Sequence, residues 1–197
     1  TVSITIDANR DAATPTDTNF ATALNVGDAA VVTLTGTGGS ASNPLDHDTT
    51  ALKLDDTETR TLTITAAANT GLDVGNITQA AAMQTMTFTS AAGADSDMGT
   101  LAAATALDSL TLSATGASST LNTSTIGNGT TAVLTSLAIT SADAAVVTTG
   151  DITSSGADAV TSVALTTTGA NSKISHSDIN LGASAVASFN LNVAANS

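Results

Sequence analysis

The densest group of residues that could do chemistry is a short acidic segment in the first third of the chain. It contains Asp46-His47-Asp48 and then Asp55-Asp56-Thr57-Glu58, so that five acids fall within thirteen residues. Carboxylates this close repel one another unless water screens them or a cation bridges them, and carboxylate oxygens are good ligands for Ca²⁺. The segment therefore predicts a calcium site formed by Asp46, Asp48, Asp55 and Asp56, with a solvated acidic turn as the alternative.

A second candidate calcium loop lies near the N-terminus. Asp7-Ala8-Asn9-Arg10-Asp11 places an oxygen-bearing side chain at every other residue, the spacing with which a tight loop points ligands toward one centre. The sixth place is Ala12 instead of Gly and the twelfth is Thr18 instead of an acid, so the loop is not an EF-hand. Asp7, Asn9 and Asp11 are therefore expected either to bind calcium or to form an ordinary Asp- and Asn-rich turn.

Residues for catalysis are sparse. His47 and His176 lie far apart in the sequence, and neither Gly-x-Ser-x-Gly nor a phosphate-binding loop ending in Lys occurs. One His among carboxylates is also a poor zinc ligand set, so His47 is expected to be a solvated turn residue. The sequence predicts a protein that is not an enzyme. The alternative is a carbohydrate-binding or carbohydrate-cleaving β-helix, because scattered Asp pairs could supply paired carboxylates.

Composition narrows the range of partners. A net charge of −13, with only four Lys and Arg, leaves nothing to neutralise a run of phosphates, so neither nucleic acid nor an anionic membrane is expected. The chain has no Cys, which excludes disulfides and thiol chemistry, and no apolar run of membrane-spanning length. Its only aromatic residues are three Phe, so the core is expected to be slim and built from small side chains.

A motif of the form apolar-x-Ser/Thr-apolar-x-apolar returns at almost even spacing through the C-terminal two-thirds of the chain. The middle apolar residue is Leu62 in a degenerate first copy, and in the five later copies it is Met86, Leu110, Leu137, Val163 and Phe189. This period, with alternation inside each copy, predicts an all-β parallel β-solenoid of about 24–27-residue coils, and a helical bundle is the competing fold. The expected inward residues are Leu62, Ile64, Met86, Phe88, Leu110, Leu112, Leu137, Ile139, Val163, Leu165, Phe189 and Leu191.

A second, weaker motif follows each copy of the first motif. In it a small residue stands two positions before an apolar residue. The small residues are Gly75, Gly99, Ser124, Gly150 and Ser177. Together with Gly- and Asn-containing links, the second motif predicts two parallel strands per coil joined by tight corners. Stacking the coils also places Asp151 and Asp178 about 4.8 Å apart in one column. These two acids are expected to face water, to diverge, to be protonated or to share a cation.

Residues 1–58 lack the repeated motif. Val2–Ile6, Val32–Leu34 and Leu52–Leu54 alternate apolar and polar residues, which predicts short half-buried strands separated by turns. This segment is expected to be an irregular β cap or a set of distorted first coils, so the sequence divides into 1–58 and a solenoid over 61–197. A cap would cover the apolar core and the strand edges at that end.

The repeat region resembles the repeats of bacterial surface-layer proteins and large secreted adhesins. The resemblance covers about residues 61–197 and rests on repeat style and on an acidic, Cys-free composition rich in Thr, Ala, Gly and Ser. It implies parallel β-solenoids, calcium-dependent assembly into a lattice or filament, and an extracellular location at the cell surface. The expected function is therefore structural, with calcium as cofactor. The expected partners are further copies of the chain, with cell-surface polysaccharide as a second candidate.

Overall fold

A computed structural model describes residues 1–7, 18–42, 44–127, 134–154, 160–181 and 186–193. These residues form β-strands and no helix, and hence contain no helix that could cross a membrane. Aliphatic residues alternate with Thr and Ser, so each strand can bury one face and leave the other to solvent. The strands are β1 (Val2–Asp7), β2 (Asn19–Phe20), β3 (Leu24–Asn25), β4 (Val31–Thr37), β5 (Leu45–Lys53), β6 (Thr61–Ala66), β7 (Thr70–Thr78), β8 (Thr85–Ser90), β9 (Asp95–Met98), β10 (Ser109–Thr115), β11 (Thr120–Thr123), β12 (Ile126–Gly127), β13 (Ser136–Ala142), β14 (Val146–Thr149), β15 (Ile152–Thr153), β16 (Ser162–Thr168), β17 (Lys173–His176), β18 (Ile179–Asn180) and β19 (Phe189–Val193).

The strands form three parallel sheets, and successive coils supply successive strands. Sheet A has the order β1-β4-β6-β8-β10-β13-β16-β19. Sheet B has the order β17-β14-β11-β9-β7-β5-β2, with β3 also paired to β5, and the short sheet C has the order β12-β15-β18. Successive coils therefore contribute to two long walls, and three of these coils also contribute to a short third wall. This arrangement confirms the predicted all-β parallel β-solenoid.

The pairing register of sheet A follows the repeated motif. Each pairing joins the middle apolar residues of adjacent copies, so the coil spacing read from the sequence is confirmed. The column that results is Leu62, Met86, Leu110, Leu137, Val163 and Phe189. Because every second side chain of a strand points the same way, this register directs the whole apolar set into the coil interior.

The core is a narrow stack of aliphatic side chains between sheets A and B. Ten of the twelve expected inward residues are buried, and Phe88 is fully enclosed. Phe189 and Leu191 hold the expected register but are 62% and 60% exposed, so the expectation of burial is wrong for them. The reason is that, among the described strands, β19 packs against β16 on one side and has no neighbour on the other.

The described part of residues 1–58 lies in the same sheets as the later coils. Val2 pairs with Val32, and Val32 pairs with Leu62, so β1 and β4 continue sheet A. In the same way β5 pairs with β7 in sheet B. These first coils are therefore in register with the later ones but are longer, since their loops contain additional residues.

The recurring small residue of the second motif directly follows a strand of sheet B in four coils and lies within β7 at Gly75. A Cβ atom added to Gly75 would overlap the carbonyl oxygen of Thr50 in the preceding coil, and one added to Gly99 or Gly150 would press on backbone atoms there. The backbone N–H of Gly99 donates to the Val74 carbonyl at 2.8 Å, which holds the two coils close. The repeat of Gly and Ser therefore follows from close backbone approach.

Candidate cation site on the acidic face

Three carboxylates follow one another across the outer face of sheet B. Asp48 is the pairing partner of Asp73, and the pairing of Val74 with Met98 places Asp97 next to Asp73. Adjacent parallel strands lie about 4.8 Å apart, and alternate residues share a face, so these side chains form a continuous acidic row. We define the acidic row as Asp48, Asp73 and Asp97. It contains a carboxylate from each of three successive coils.

A fourth carboxylate, that of Asp46, reaches the acidic row because its strand neighbour is glycine. Asp46 pairs with Gly71, and a Cβ atom at Gly71 would press on Asp46 Oδ1 and overlap the Asp95 carbonyl oxygen. Oxygen atoms of Asp46, Asp48 and Asp73 all lie within 4.8 Å of one another. Two oxygens on opposite sides of a Ca²⁺ ion are separated by about 4.8 Å, given Ca–O distances of about 2.4 Å. The three oxygens are therefore close enough to share one ion.

Asp73 lies at the centre of this group, and its ionisation is the most strongly affected. Burial and the neighbouring charges of Asp46, Asp97 and Asp48 raise the pKa of Asp73 from 3.8 to about 7, whereas a hydrogen bond from the Asp97 backbone acts in the opposite direction. Both main causes disfavour the charged carboxylate. A divalent cation at the same place would offset them, because its charge favours the ionised form.

Hydrogen bonds connect the acidic row from coil to coil. The Asp97 backbone N–H donates to Asp73 Oδ1 at 2.9 Å, and Asn122 Nδ2 donates to Asp97 Oδ1 at 2.8 Å. Thr120 Oγ1 donates to Asp95 Oδ1 on the same face. These bonds hold the carboxylates of Asp73, Asp95 and Asp97 in place, so less side-chain entropy would be lost there when a ligand binds.

The acidic row borders an open groove of about 440 Å³. Its lining includes Asp48, Asp73 and Asp97 and the glycines Gly75 and Gly99, which leave space beside the carboxylates. Hard cations take oxygen ligands and retain some water, so partial exposure is compatible with binding. Calcium accepts irregular geometry with six to eight ligands, whereas magnesium requires a tighter octahedron. The groove therefore leaves space for water ligands beside the carboxylates.

Asp55 and Asp56, which the sequence assigns to the same site, have other roles in the structure. Asp55 Oδ1 accepts hydrogen bonds from the Thr57 hydroxyl at 2.7 Å, the Thr57 N–H at 2.8 Å and the Glu58 N–H at 2.9 Å. These bonds, in that order of effect, hold the pKa of Asp55 below its ordinary value. Asp56 Oδ1 accepts from the Ala81 N–H at 3.1 Å, which ties the turn to the next coil. Both carboxylates therefore stabilise a loop, and the structure joins Asp73 to Asp46 and Asp48.

The N-terminal candidate loop and the pair Asp151 and Asp178 are the two other candidate sites from the sequence. Asp7 ends β1 and is exposed, while Asn9 and Asp11 of the proposed N-terminal loop lie outside the described residues. Asp151 and Asp178 are both exposed, and their backbone carbonyls accept hydrogen bonds from Ile126 and Ile152 across sheet C. Exposure to water is thus the outcome for this pair.

His47 is not the solvated turn residue that the sequence indicates. It lies within β5, is fully buried and points into the coil. The backbone N–H of Thr18 donates to Nδ1 at 3.1 Å, so Nε2 carries the hydrogen and donates to the Thr37 carbonyl at 2.9 Å. Strand alternation placed Asp46 and Asp48 outward and His47 inward, and the two bonds satisfy the buried ring.

The last described strand, β19, offers a second candidate functional surface. Phe189, Leu191 and Val193 are 62%, 60% and 65% exposed, although they occupy the inward register. Phe189 also lines a cavity of about 580 Å³ together with Leu165, Ile179 and Val186. Exposed apolar groups beside an edge strand are typical of a surface that another β-segment covers. We refer to Phe189, Leu191 and Val193 with the edge of β19 as the open end.

No family model, curated protein or solved structure matches this chain.

Proposed function

We propose that the protein is a non-enzymatic structural component of a bacterial cell surface that assembles with further copies of itself into a lattice, filament or stalk. The open end carries the proposal. Three large apolar side chains in the inward register of a β-solenoid, exposed beside the edge of β19, are the surface to which another coil can add by parallel β-pairing. The repeat style and composition that resemble bacterial surface proteins support the extracellular location.

The shape of the open end defines what a partner has to supply. Among the described strands, sheet A extends to β19 and sheet B extends to β17, one coil earlier. A partner that covers Phe189 and Leu191 therefore needs a strand beside β19 and another beside β17. At the other end of sheet A, β1 presents a strand edge of the same parallel sheet. Head-to-tail association of two copies would bring these two edges of sheet A together.

Calcium has two roles in the proposal. Copies that each have a net charge of −13 repel one another, and divalent cations reduce that repulsion. Bound at Asp46, Asp48 and Asp73, calcium would also hold two successive coils together, because Asp46 and Asp48 lie on β5 and Asp73 on β7. Calcium is plentiful outside cells and scarce inside, so assembly would follow export. Surface polysaccharide is proposed as a second partner, with calcium bridging its acidic groups.

The proposal is tested by comparing Leu191→Asp with Asn190→Asp. Both substitutions add one negative charge to β19, but Leu191 faces the coil interior and Asn190 faces outward. Sedimentation velocity and electron microscopy with millimolar calcium are expected to show assemblies for wild type and Asn190→Asp, and monomers for Leu191→Asp. A chelator is expected to dissolve the wild-type assemblies. Monomers of wild type under all these conditions would contradict the proposal.

A carbohydrate-cleaving activity is the second candidate, and one observation favours it. The groove over sheet B contains Asp73, whose pKa of about 7 suits a general acid, beside the carboxylates of Asp48 and Asp97. Release of reducing ends from an acidic or neutral polysaccharide by wild type, and its loss in Asp73→Asn, would establish this function. Absence of release by folded wild-type protein, across both polysaccharide types, would exclude it.

A further inference from the structure

The outer face of sheet A carries an ordered array of threonines. On β4, β6, β8 and β10, nine of the twelve outward positions in three adjacent columns are Thr, two are Ser and one is Val. Pairing runs without interruption across these strands, so the columns stay in line. We refer to this array as the threonine face. Its columns are Val31, Thr61, Thr85 and Ser109; Thr33, Thr63, Thr87 and Thr111; and Thr35, Thr65, Thr89 and Ser113.

The hydroxyl groups of the threonine face are not used to hold the fold together. Within the described residues, none of the nine Thr side chains makes a hydrogen bond to another protein group. All nine are partly exposed. The strands that carry them, together with β13 and β16, contain no charged residue, although the chain as a whole has a net charge of −13. The charge distribution therefore favours an uncharged partner with regularly spaced hydrogen-bonding groups.

The repeat distances of the array identify such a partner. Neighbouring strands place equivalent hydroxyls about 4.8 Å apart, and alternate residues of one strand place them about 6.6 Å apart. The inter-strand repeat is close to one oxygen repeat of a prism face of hexagonal ice, and the repeat along the strand is somewhat shorter than the other. We propose that the threonine face binds ice. The partner is the surface of crystalline water, and the result of binding is arrest of ice growth beside the protein.

Each threonine contributes two groups to this binding. Its hydroxyl can donate and accept hydrogen bonds, while its methyl group keeps neighbouring water from forming bonds in other directions. Rows of such groups hold bridging waters in an ordered layer, and water-mediated bonds are nearly as favourable as direct ones. Because the backbone is fixed by pairing on both sides, the array loses little conformational entropy on binding. An adsorbed protein then forces the ice front to curve, which lowers its local freezing temperature.

Two other partners fit the threonine face less well. Three inter-strand steps from β4 to β10 and four residue rises across the columns give the threonine face an area of roughly 190 Å². Two copies packed face to face would then bury only about 400 Å², well below the size of a stable specific interface, and without an apolar centre. Sugar surfaces usually stack on aromatic rings, and the threonine face has none at its outward positions.

The experiment measures thermal hysteresis and the inclusion of labelled protein in slowly growing ice, using the whole chain. Thr87→Lys and, separately, Thr63→Lys place a long charged side chain in the central column. Thr78→Lys is the matched control, because Thr78 is exposed on sheet B. Circular dichroism and the melting temperature establish that all variants are folded. We expect hysteresis for wild type and Thr78→Lys, and a decrease of several-fold for each central-column variant.

Several results would overturn the proposal. One is the absence of hysteresis and ice inclusion for folded wild type, and another is an equal loss in Thr78→Lys and Thr87→Lys. Sedimentation of wild type as a dimer that Thr87→Lys dissociates would assign the threonine face to contacts between copies. Co-sedimentation of wild type with cellulose or chitin, lost in Thr87→Lys without any effect on ice, would assign it to a polysaccharide.

Discussion

The outer faces of sheets A and B belong to the same coils but differ in whether their polar side chains are charged and hydrogen-bonded to the protein. On sheet A the threonine face is uncharged, and its nine Thr hydroxyls make no hydrogen bond within the described part of the protein. On sheet B the acidic row is charged and connected, with Asp73, Asp97 and Asn122 bonded across three coils. A solenoid supports both arrangements because one buried core fixes the spacing, so that outward residues can vary independently.

The two faces also differ in what a ligand changes. The threonine face offers many weak and equivalent contacts, so binding there depends on the number of aligned coils. The acidic row concentrates repulsion at Asp73, where a single cation could relieve it. Loss of alignment would therefore affect the threonine face over its whole length, whereas the loss of one carboxylate would affect only the acidic row.

The largest effect is expected from the core that both faces share. Phe88→Ala removes the largest fully buried side chain and leaves a cavity, so it should lower the free energy of unfolding by about 3–5 kcal/mol. Phe189→Ala is the matched control, because Phe189 is 62% exposed, and should cost less than about 1 kcal/mol. Urea unfolding followed by circular dichroism measures both. Similar losses for the two variants would show that the end coil is as tightly packed as the centre.

A smaller effect, centred on the candidate cation site of Asp46, Asp48 and Asp73, is expected from Gly71→Ala. The added methyl group would overlap the Asp95 carbonyl oxygen and press on Asp46 Oδ1, so the strands have to shift at a cost of about 1–3 kcal/mol. The displaced Asp46 should also weaken calcium binding, measured by isothermal titration. Gly127→Ala is the control, since the atoms nearest to its Cβ would lie 3.8 Å away. Unchanged calcium affinity in Gly71→Ala would argue against the site.

The next effect depends on pH. Without calcium, the pKa of Asp73 is about 7 in the folded protein and near 3.8 in the unfolded chain. Between these values the folded state holds a proton that the unfolded state has lost, so this carboxyl makes stability fall as the pH rises from about 4 to 7. Asp73→Asn should remove that slope and raise stability at pH 7 by on the order of 1 kcal/mol, because solvent screens a half-buried group.

Melting curves from pH 4 to pH 8 test this expectation. Asp151→Asn removes the same charge at an exposed position and should leave the slope in place. Calcium should raise the melting temperature of wild type at pH 7 and release protons as it binds, and both effects should be smaller in Asp73→Asn. An identical pH dependence of wild type and Asp73→Asn would contradict the assignment of the raised pKa to this carboxyl.

Features that depend on residues close in the sequence could be predicted, whereas features that depend on pairing between distant strands could not. The coil register followed from the sequence, because alternation within a strand and a nearly constant step are local patterns. The longer step that joins Val2 to Val32 and Val32 to Leu62 does not follow from the sequence, since β1 and β4 lack the full repeated motif. Their period-2 alternation did indicate strands, but one alternating segment contains no information about its partner.

The acidic site was only partly predictable for the same reason. Asp46 and Asp48 were found from local density, but Asp73 lies one coil beyond Asp48 and joins it only through strand pairing. A one-coil step from Asp48 would have found it. The burial of His47 does not follow from the sequence, because its partners, the Thr18 N–H and the Thr37 carbonyl, are backbone groups on other segments that no side-chain pattern shows.

The smallest effect compares one hydroxyl from each face. Thr87→Val removes a hydroxyl that has no hydrogen bond within the described residues, so it should change the free energy of unfolding by less than about 0.5 kcal/mol. Thr120→Val removes a hydroxyl that donates to Asp95 Oδ1, and should cost about 1 kcal/mol, because it also leaves a carboxylate with one fewer partner. Valine and threonine have the same shape and both favour strands, so packing and propensity change little in either variant. Urea unfolding of both variants at pH 7 measures the difference. A loss at Thr87 equal to that at Thr120 would mean that the threonine face helps to hold the fold together, and the contrast between the two faces would then disappear.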